Sequence, residues 1–461
     1  MKIEKIRLRH VFGTIETDGR FWEERLVQPL DVYPEFRDTA KRVEWNDQTA
    51  TSEIAHDAYF VQIETDEGVV GIGGPMDKAI AFIIEDQLAS FLIDRDPLAT
   101  EFIWDVLHRS AVHGRQGNTM IAISAIDNAL WDLKGRYLDV PAYSIIGGPT
   151  RSEVPAYASM LGYDVLDMGL VAERAKQFQE LGYTAQKWFF RHGPMSGAEG
   201  FRKNVELAET LRKTLGDDDD IMLDCWQSMD VNYVIKLAEA IEDTHPRWLE
   251  EVAMPDRIDS YRKIREATNI PLSGAEHHYT RWGMKEFIDA EALDILQPDI
   301  YWAGGMSEVL KIAALATAAD LITIPHGHST NAGIHFSVSQ SPIHTPYQEY
   351  LIKWNTIHQH FLKDAVTPEN GMIVLPTTIG MGMDLDPGQR GIKRRRLDVE
   401  KADGGGAQEG QFPGQALRIG SAVEHIARRD IEAAVMLAEF HPNLAGAVCR
   451  DFQALQINPA H

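Results

Sequence analysis

Ile221-Met222-Leu223-Asp224, Arg247-Trp248-Leu249-Glu250-Glu251 and Pro271-Leu272-Ser273-Gly274-Ala275-Glu276 are three apolar, β-rich segments that each run out on a carboxylate. Asp224, Glu250 and Glu276 stand 26 residues apart. A strand followed by a helix consumes about that length, so the spacing predicts three successive parallel strands with an acid at each C-terminal end. A lone acid there is ordinarily a helix cap or a solvated side chain. Three converging on one barrel mouth repel one another unless a cation neutralises them. Oxygen donors alone suit a hard ion, which makes Asp224, Glu250 and Glu276 candidate Mg²⁺ ligands and disfavours Zn²⁺. Glu251 faces the opposite side of a regular strand, and the sequence does not choose between it and Glu250.

The rhythm continues in both directions. Asp299, in Gln297-Pro298-Asp299, follows Glu276 by 23 residues, and His326, in Pro325-His326-Gly327, comes 27 residues later. An Asp on one strand end bonded to a His on the next fixes the imidazole tautomer and raises its basicity, making His326 the candidate general acid/base. Glu349 closes the ring on an eighth strand, and Lys187 ends the second strand, where it is placed to contact a substrate oxygen. His277, His278, His328, His335 and His344 are either pocket residues or polar loop residues.

Strand-like segments near 154–159, 184–190, 220–225, 247–252, 271–276, 294–299, 321–326 and 348–353 alternate with amphipathic stretches such as Phe201–Leu215 and Gly305–Ala319. Eight strands with intervening helices predict an α/β barrel over 151–354. An open doubly wound sheet ranks below it, because no Gly-rich phosphate loop follows the first strand. Residues 1–150 read as a separate α+β unit. Lys2–His10 and His56–Thr65 alternate as strands, Asp66-Glu67-Gly68 turns a hairpin, and Met76–Trp104 and Asn118–Tyr137 have helical spacing. Residues 387–461 carry Lys393-Arg394-Arg395-Arg396, then Gly404-Gly405-Gly406, then a helical pattern over Ser421–Phe440. They are expected to be a linker and a helical extension of unassigned role.

The 461 residues include 69 acidic and 45 basic side chains, for a net charge of −24. That balance argues against a general grip on nucleic acid. No run of about 18 apolar residues signals a membrane span. The N-terminus lacks the apolar core of a signal peptide, and two cysteines cannot build a disulfide framework, so a soluble cytoplasmic protein is expected.

The stretch Ala122-Ile123-Ser124-Ala125-Ile126-Asp127-Asn128-Ala129-Leu130-Trp131-Asp132-Leu133-Lys134-Gly135 is similar to the signature helix of the mandelate racemase and muconate lactonising group of the enolase superfamily. Leu223-Asp224-Cys225-Trp226, Asp230-Val231-Asn232-Tyr233, Gly274-Ala275-Glu276-His277-His278, Gln297-Pro298-Asp299 and Pro325-His326-Gly327 resemble the barrel motifs of its acid-sugar dehydratases, L-rhamnonate dehydratases above all. The resemblance covers about residues 1–386. It implies a modified TIM barrel, (β/α)₇β, with an N-terminal α+β capping domain to which about 355–386 also contribute. It further implies Asp224, Glu250 and Glu276 on one Mg²⁺, His326 paired with Asp299 as acid/base, and Glu349 against the substrate's reacting carboxyl end. Capping residues Trp22 and Arg25 become expected substrate contacts, and a homo-oligomer is expected.

The activity so implied is dehydration of an acid sugar, an aldonate such as L-rhamnonate, to a 2-keto-3-deoxy acid through an enediolate. Two departures bear on it. Phe21 stands where the rhamnonate enzymes carry a histidine, and Lys187-Trp188-Phe189 lacks the second lysine of the Lys-x-Lys pair of racemising relatives. The alternatives are a racemase, epimerase or cycloisomerase sharing the enediolate, and a non-catalytic regulatory homologue.

Overall fold

The computed structural model describes residues 1–17, 19–37, 53–386 and 398–400, and Met1–Lys401 form one compact unit. Its first layer is an antiparallel sheet of β1 (Ile3–Glu16), β2 (Glu53–Thr65) and β3 (Val70–Met76), with Asp398–Glu400 paired along the free edge of β1. Gly68, at φ +80°, turns the β2–β3 hairpin where the sequence places it. Helices α1 (Thr100–Ser110) and α2 (Asn118–Leu138) follow. The long α2 lies directly on β3. A Cβ on Gly71 or Gly73 would come within 2.1 Å of the carbonyl oxygens of Ala129 or Ala125, so only glycine allows that approach.

The helical spacing over 76–104 does not run through as one helix. It is helical over Lys78–Ile83 and in short irregular turns to Phe91, and the chain then unwinds until Thr100. Asp94 adopts φ +64° and Pro97 follows, and both oppose helix continuation.

Eight parallel strands come next: β4 (Glu153–Ser159), β5 (Ala185–Phe189), β6 (Asp220–Asp224), β7 (Trp248–Glu250), β8 (Leu272–Gly274), β9 (Ile295–Leu296), β10 (Ile322–Thr323) and β11 (Gln348–Leu351). Seven lie inside the expected segments, and β4 begins one residue earlier, at Glu153. Each strand pairs with the next from β4 to β10, and β11 returns beside β4, Gln348 opposite Ala156 through Leu351 opposite Ser159. The β10–β11 seam is bridged by Thr323 N donating to His344 O at 2.8 Å and Gly327 N donating to Glu349 Oε2 at 2.8 Å. The fold is thus a modified α/β barrel with an N-terminal capping domain.

The barrel interior explains why the acids sit together. Tyr157, Ala185, Met222, Trp248, Ile295 and Ile324 fill the centre with apolar volume. Strand side chains alternate, so the inward positions two residues further along β5, β6 and β7 are Lys187, Asp224 and Glu250. An apolar plug is therefore capped by a charged layer at the C-terminal mouth.

Residues after β11 fold back on the capping domain. Gly380 O accepts from Ala142 N at 2.8 Å, and Met381 N donates to Asp132 Oδ1 on α2, also at 2.8 Å. No described helix is long and apolar enough to cross a membrane. The basic run, the glycines and the 421–440 helical pattern expected near the C-terminus lie outside the described residues.

Candidate active site

The charged layer is organised around one ammonium. Lys187 Nζ lies 3.2 Å from Asp224 Oδ2 and 2.7 Å from Glu349 Oε1, and it also contacts Glu250 Oε1. Burial alone would pull the Lys187 ammonium down, but Glu250, Glu349 and Asp224 hold it well above its ordinary value. Lys187 does reach the cavity, yet its charge is committed to three carboxylates.

Glu250 accepts from Trp248 Nε1 at 2.9 Å and Gln297 Nε2 at 2.8 Å in addition to Lys187. Asp224 Oδ1 accepts from Trp226 N at 2.8 Å. Glu276 is different. Its Oε2 is buried without a hydrogen-bond partner among the described residues, and 3.4 Å from His326 Nε2. Burial and then the charge of Glu250 push the Asp224 carboxyl well above its usual range; burial and then Glu251 do the same for Glu276. One lysine among Asp224, Glu250, Glu251, Glu276 and Glu349 leaves a surplus of negative charge out of water. That is the setting a divalent cation fits.

Glu250 and Glu251 part company through backbone geometry. Glu251 has φ +43°, which breaks the strand alternation and aims its carboxylate along β8. His277 Nδ1 lies 3.0 Å from both Glu251 oxygens, and among the described residues Glu251, Glu276 and His277 are the set whose ligand atoms all lie within 4.8 Å of one another. Trp226 (+38°), Gln227 (+64°) and Ala275 (+76°) are also left-handed. Strained backbone therefore gathers just past β6, β7 and β8, as it does at sites whose side-chain directions are over-determined.

His326 Nδ1 lies 2.8 Å from Asp299 Oδ2, while Asp299 Oδ1 accepts from Tyr301 N at 2.6 Å. Burial raises the Asp299 carboxyl, and the bond to His326 opposes that rise. Glu349 sits behind Lys187. Burial would raise its carboxyl, but Lys187 foremost brings it below its ordinary value, so it stays ionised.

A cavity of about 610 Å³ opens above this floor, lined by Lys187, Asp224, Glu276 and His326 and, from the capping side, by Leu26, His56 and Met76. Residues 39–147 match the model of the mandelate racemase/muconate lactonizing enzyme N-terminal domain, and residues 170–389 match that of the enolase C-terminal domain-like family. An L-rhamnonate dehydratase of Saccharopolyspora erythraea is 31% identical over 402 residues, spanning 84% of this chain and 97% of that protein.

The chain belongs to the mandelate racemase/muconate lactonising group of the enolase superfamily.

Two solved structures agree with that placement. The rhamnonate dehydratase of Gibberella zeae complexed with Mg is 29% identical, with TM-score 0.73 over 84% of this chain and 95% of that one. A 3,6-anhydro-D-galactonate cycloisomerase of Zobellia galactanivorans is 28% identical, with TM-score 0.67 over 84% and 97%.

Within this enolase-superfamily site, the strand-end residues expected from the sequence do come together, whereas the expected capping residues Trp22 and Arg25 do not line the cavity. Trp22 packs edge-on against Trp354 at 6.4 Å and lies one layer behind the lining. Arg25 corrects the expectation of a substrate contact: its guanidinium is bonded to Asp31 Oδ2 at 2.8 Å, to Leu26 O at 3.0 Å and to Arg37 O. Of the five histidines left open, His277 and His328 line the cavity. His278 packs against Phe287, and His335 is buried beside Tyr143. His56 and His358 line it too, along with Trp302 and Trp354. Sequence reading missed these four, since only their distant partners reveal the role.

Proposed function

We propose that this protein is a Mg²⁺-dependent acid-sugar dehydratase, acting on an aldonate such as L-rhamnonate to give a 2-keto-3-deoxy acid. Asp224, Glu250 and Glu276 would hold the ion, and the orphaned Glu276 oxygen within the crowded carboxylates supports that fit. Bound Mg²⁺ supplies Lewis-acid stabilisation of charge developing on the substrate carboxylate. Lys187 adds a positive charge beside it, and Glu349 keeps Lys187 in place.

The chemistry left to the protein is proton transfer. The C2–H bond breaks, its electron pair passes into the carboxylate to form an enediolate, and the C3–O bond then breaks as the leaving hydroxyl takes a proton. His326 is the acid/base the site offers for these transfers, with Asp299 fixing its Nδ1 and leaving Nε2 toward the reacting atoms. One imidazole serving both C2 and C3 implies syn elimination. The resulting enol tautomerises to the ketone.

The observation that carries this reading is His326, bonded to Asp299 on one side and 3.4 Å on the other from the Glu276 oxygen that has no hydrogen-bond partner among the described residues. Phe189 lines the cavity where a second base of a racemising enzyme would stand, which supports dehydration over two-base racemisation. The test is a screen of mono- and diacid sugars with Mg²⁺, detecting 2-keto-3-deoxy products. Deuterium exchange at C2 without keto product would favour racemisation instead, and no turnover across a wide library would sink the enzymatic reading.

A further inference from the structure

Beyond His326 the cavity wall continues as a run of rings. Trp302 lies 5.1 Å from His326 and 4.7 Å from His328, and the His326 and His328 rings are parallel at 6.2 Å. His328 meets His358 at 3.8 Å edge to face, and His358 lies 4.7 Å from Trp354. His358 ends α3 (Ile352–His358), the helix that follows β11, so the wall rises from the barrel floor toward the capping domain, where His56 joins the lining.

Two features of this wall concern ligands. The Nδ1 atoms of His328 and His358 are buried with no hydrogen-bond partner among the described residues; the nearest acid to His328 Nδ1 is Asp299, at 3.7 Å. Buried polar atoms in that state lose the hydrogen bonds they would make in water, and a ring shift that turns either nitrogen to the cavity lets a bound hydroxyl restore one. The second feature is charge. Among the described lining residues there is no arginine, the one lysine is Lys187 with its three carboxylates, and the capping side adds Asp57 and Asp77.

We propose that His328 and His358 form the subsite for the end of the substrate remote from its reacting carboxylate, and that they select an uncharged, hydroxylated tail over a second carboxylate. The proposal rests on the acid-sugar reading above. A neutral imidazole offers one donor and one acceptor, as a hydroxyl does, whereas a carboxylate only accepts. Burial keeps both rings neutral, pulling His358 down to about 3 and His328 well below its ordinary value. Trp354 gives the carbon chain an apolar surface beside them.

The test is calorimetric titration of the full-length, Mg²⁺-loaded wild type with three unreactive ligands, none bearing a C3 hydroxyl. They are a six-carbon 3-deoxyaldonate, 2-hydroxyhexanoate, which lacks the distal hydroxyls, and the 3-deoxyaldarate, which ends in a second carboxylate. The 3-deoxyaldonate is expected to bind about tenfold or more tighter than either of the others. His358→Phe, which keeps the ring and removes its nitrogens, should erase that preference, and His358→Gln should retain much of it. Equal binding of the first two ligands, tighter binding of the diacid, or no binding of any overturns the subsite. If His358→Phe fails to fold, the wild-type ligand series decides alone. Selective binding without dehydration of any sugar sinks the proposed activity and leaves the subsite standing; dehydration without selectivity does the reverse.

Discussion

His326 and Asp299 meet at 2.8 Å although they stand on different strand ends, and the bond holds the imidazole with Nε2 facing Glu276. The pair is a consequence of topology, because β9 and β10 are adjacent parallel strands of equal length and therefore end side by side.

His326→Asn is expected to abolish turnover while leaving fold and Mg²⁺ affinity intact, since Asn keeps the size and polarity without a titrating nitrogen. Asp299→Asn should lower kcat by on the order of 10²-fold or more, within the range that a positioned acid/base contributes. Steady-state kinetics alongside circular dichroism checks both. Near-wild-type turnover by the His326 variant would remove it from the mechanism.

Glu276→Gln takes away one of the charged oxygens without changing the side-chain shape, so Mg²⁺ affinity should fall by about tenfold or more, readable by calorimetry. Glu250→Gln and Glu251→Gln then decide which neighbour is the third ligand. Glu250 shares the strand register of Asp224 and is expected to show the larger loss. The opposite order would move that ligand to Glu251, whose carboxylate already lies beside Glu276 and His277.

Lys187→Met strips the buried carboxylates of the one ammonium that neighbours them among the described residues. Breaking a buried pair costs about 3–5 kcal/mol, so the metal-free variant should melt well below the wild type. A bound divalent ion answers the same excess of charge, and binding to the folded state raises stability by mass action. The Mg²⁺-dependent rise in Tm should therefore be larger in Lys187→Met than in the wild type. Equal increments would mean that lysine and metal do not answer to the same carboxylates.

What the sequence made legible follows from its periodicities. Strand alternation and the spacing of strand-plus-helix units are local, so all eight strands and the strand-end row from Asp224 to Glu349 could be read without coordinates. Roles set by partners far along the chain could not. Lys187 reads as a cavity residue from its strand end, but its ion pairs appear only when β6, β7 and β11 bring Asp224, Glu250 and Glu349 onto its ammonium. Arg25 fails for the opposite reason, being drawn to Asp31 six residues on within its own loop. The different directions of the Glu250 and Glu251 carboxylates depend on one left-handed residue, which no alternation pattern announces. His56 and His358 belong to the cavity only because the capping sheet and the helix after β11 both lean over the mouth.

The capping segment that follows Trp22 is fastened through Glu23, and the fastening should be pH-dependent. Glu23 N donates to Gly162 O at 2.8 Å, Glu23 Oε2 accepts from Asp164 N at 3.0 Å, and Glu23 Oε1 lies 3.1 Å from Lys353 Nζ, which also donates to Gly162 O at 2.9 Å. These bonds hold Leu26 on the cavity wall. Burial pulls the Lys353 ammonium down to about 8, with Glu23 opposing. Between that value and the ordinary lysine value of 10.5 the unfolded chain binds a proton that the folded chain does not, so this residue's contribution to stability grows as pH rises. The ion pair with Glu23, by contrast, fades over the same interval. Substrate KM is therefore expected to rise above about pH 8 while Tm shows no loss traceable to Lys353. In Lys353→Met the KM should be raised at neutral pH already, with the alkaline rise flattened. A variant whose KM follows the wild-type profile throughout would show that the segment is held without the Lys353 pair, by the backbone bonds and by Asp164 N and Arg174 on Glu23.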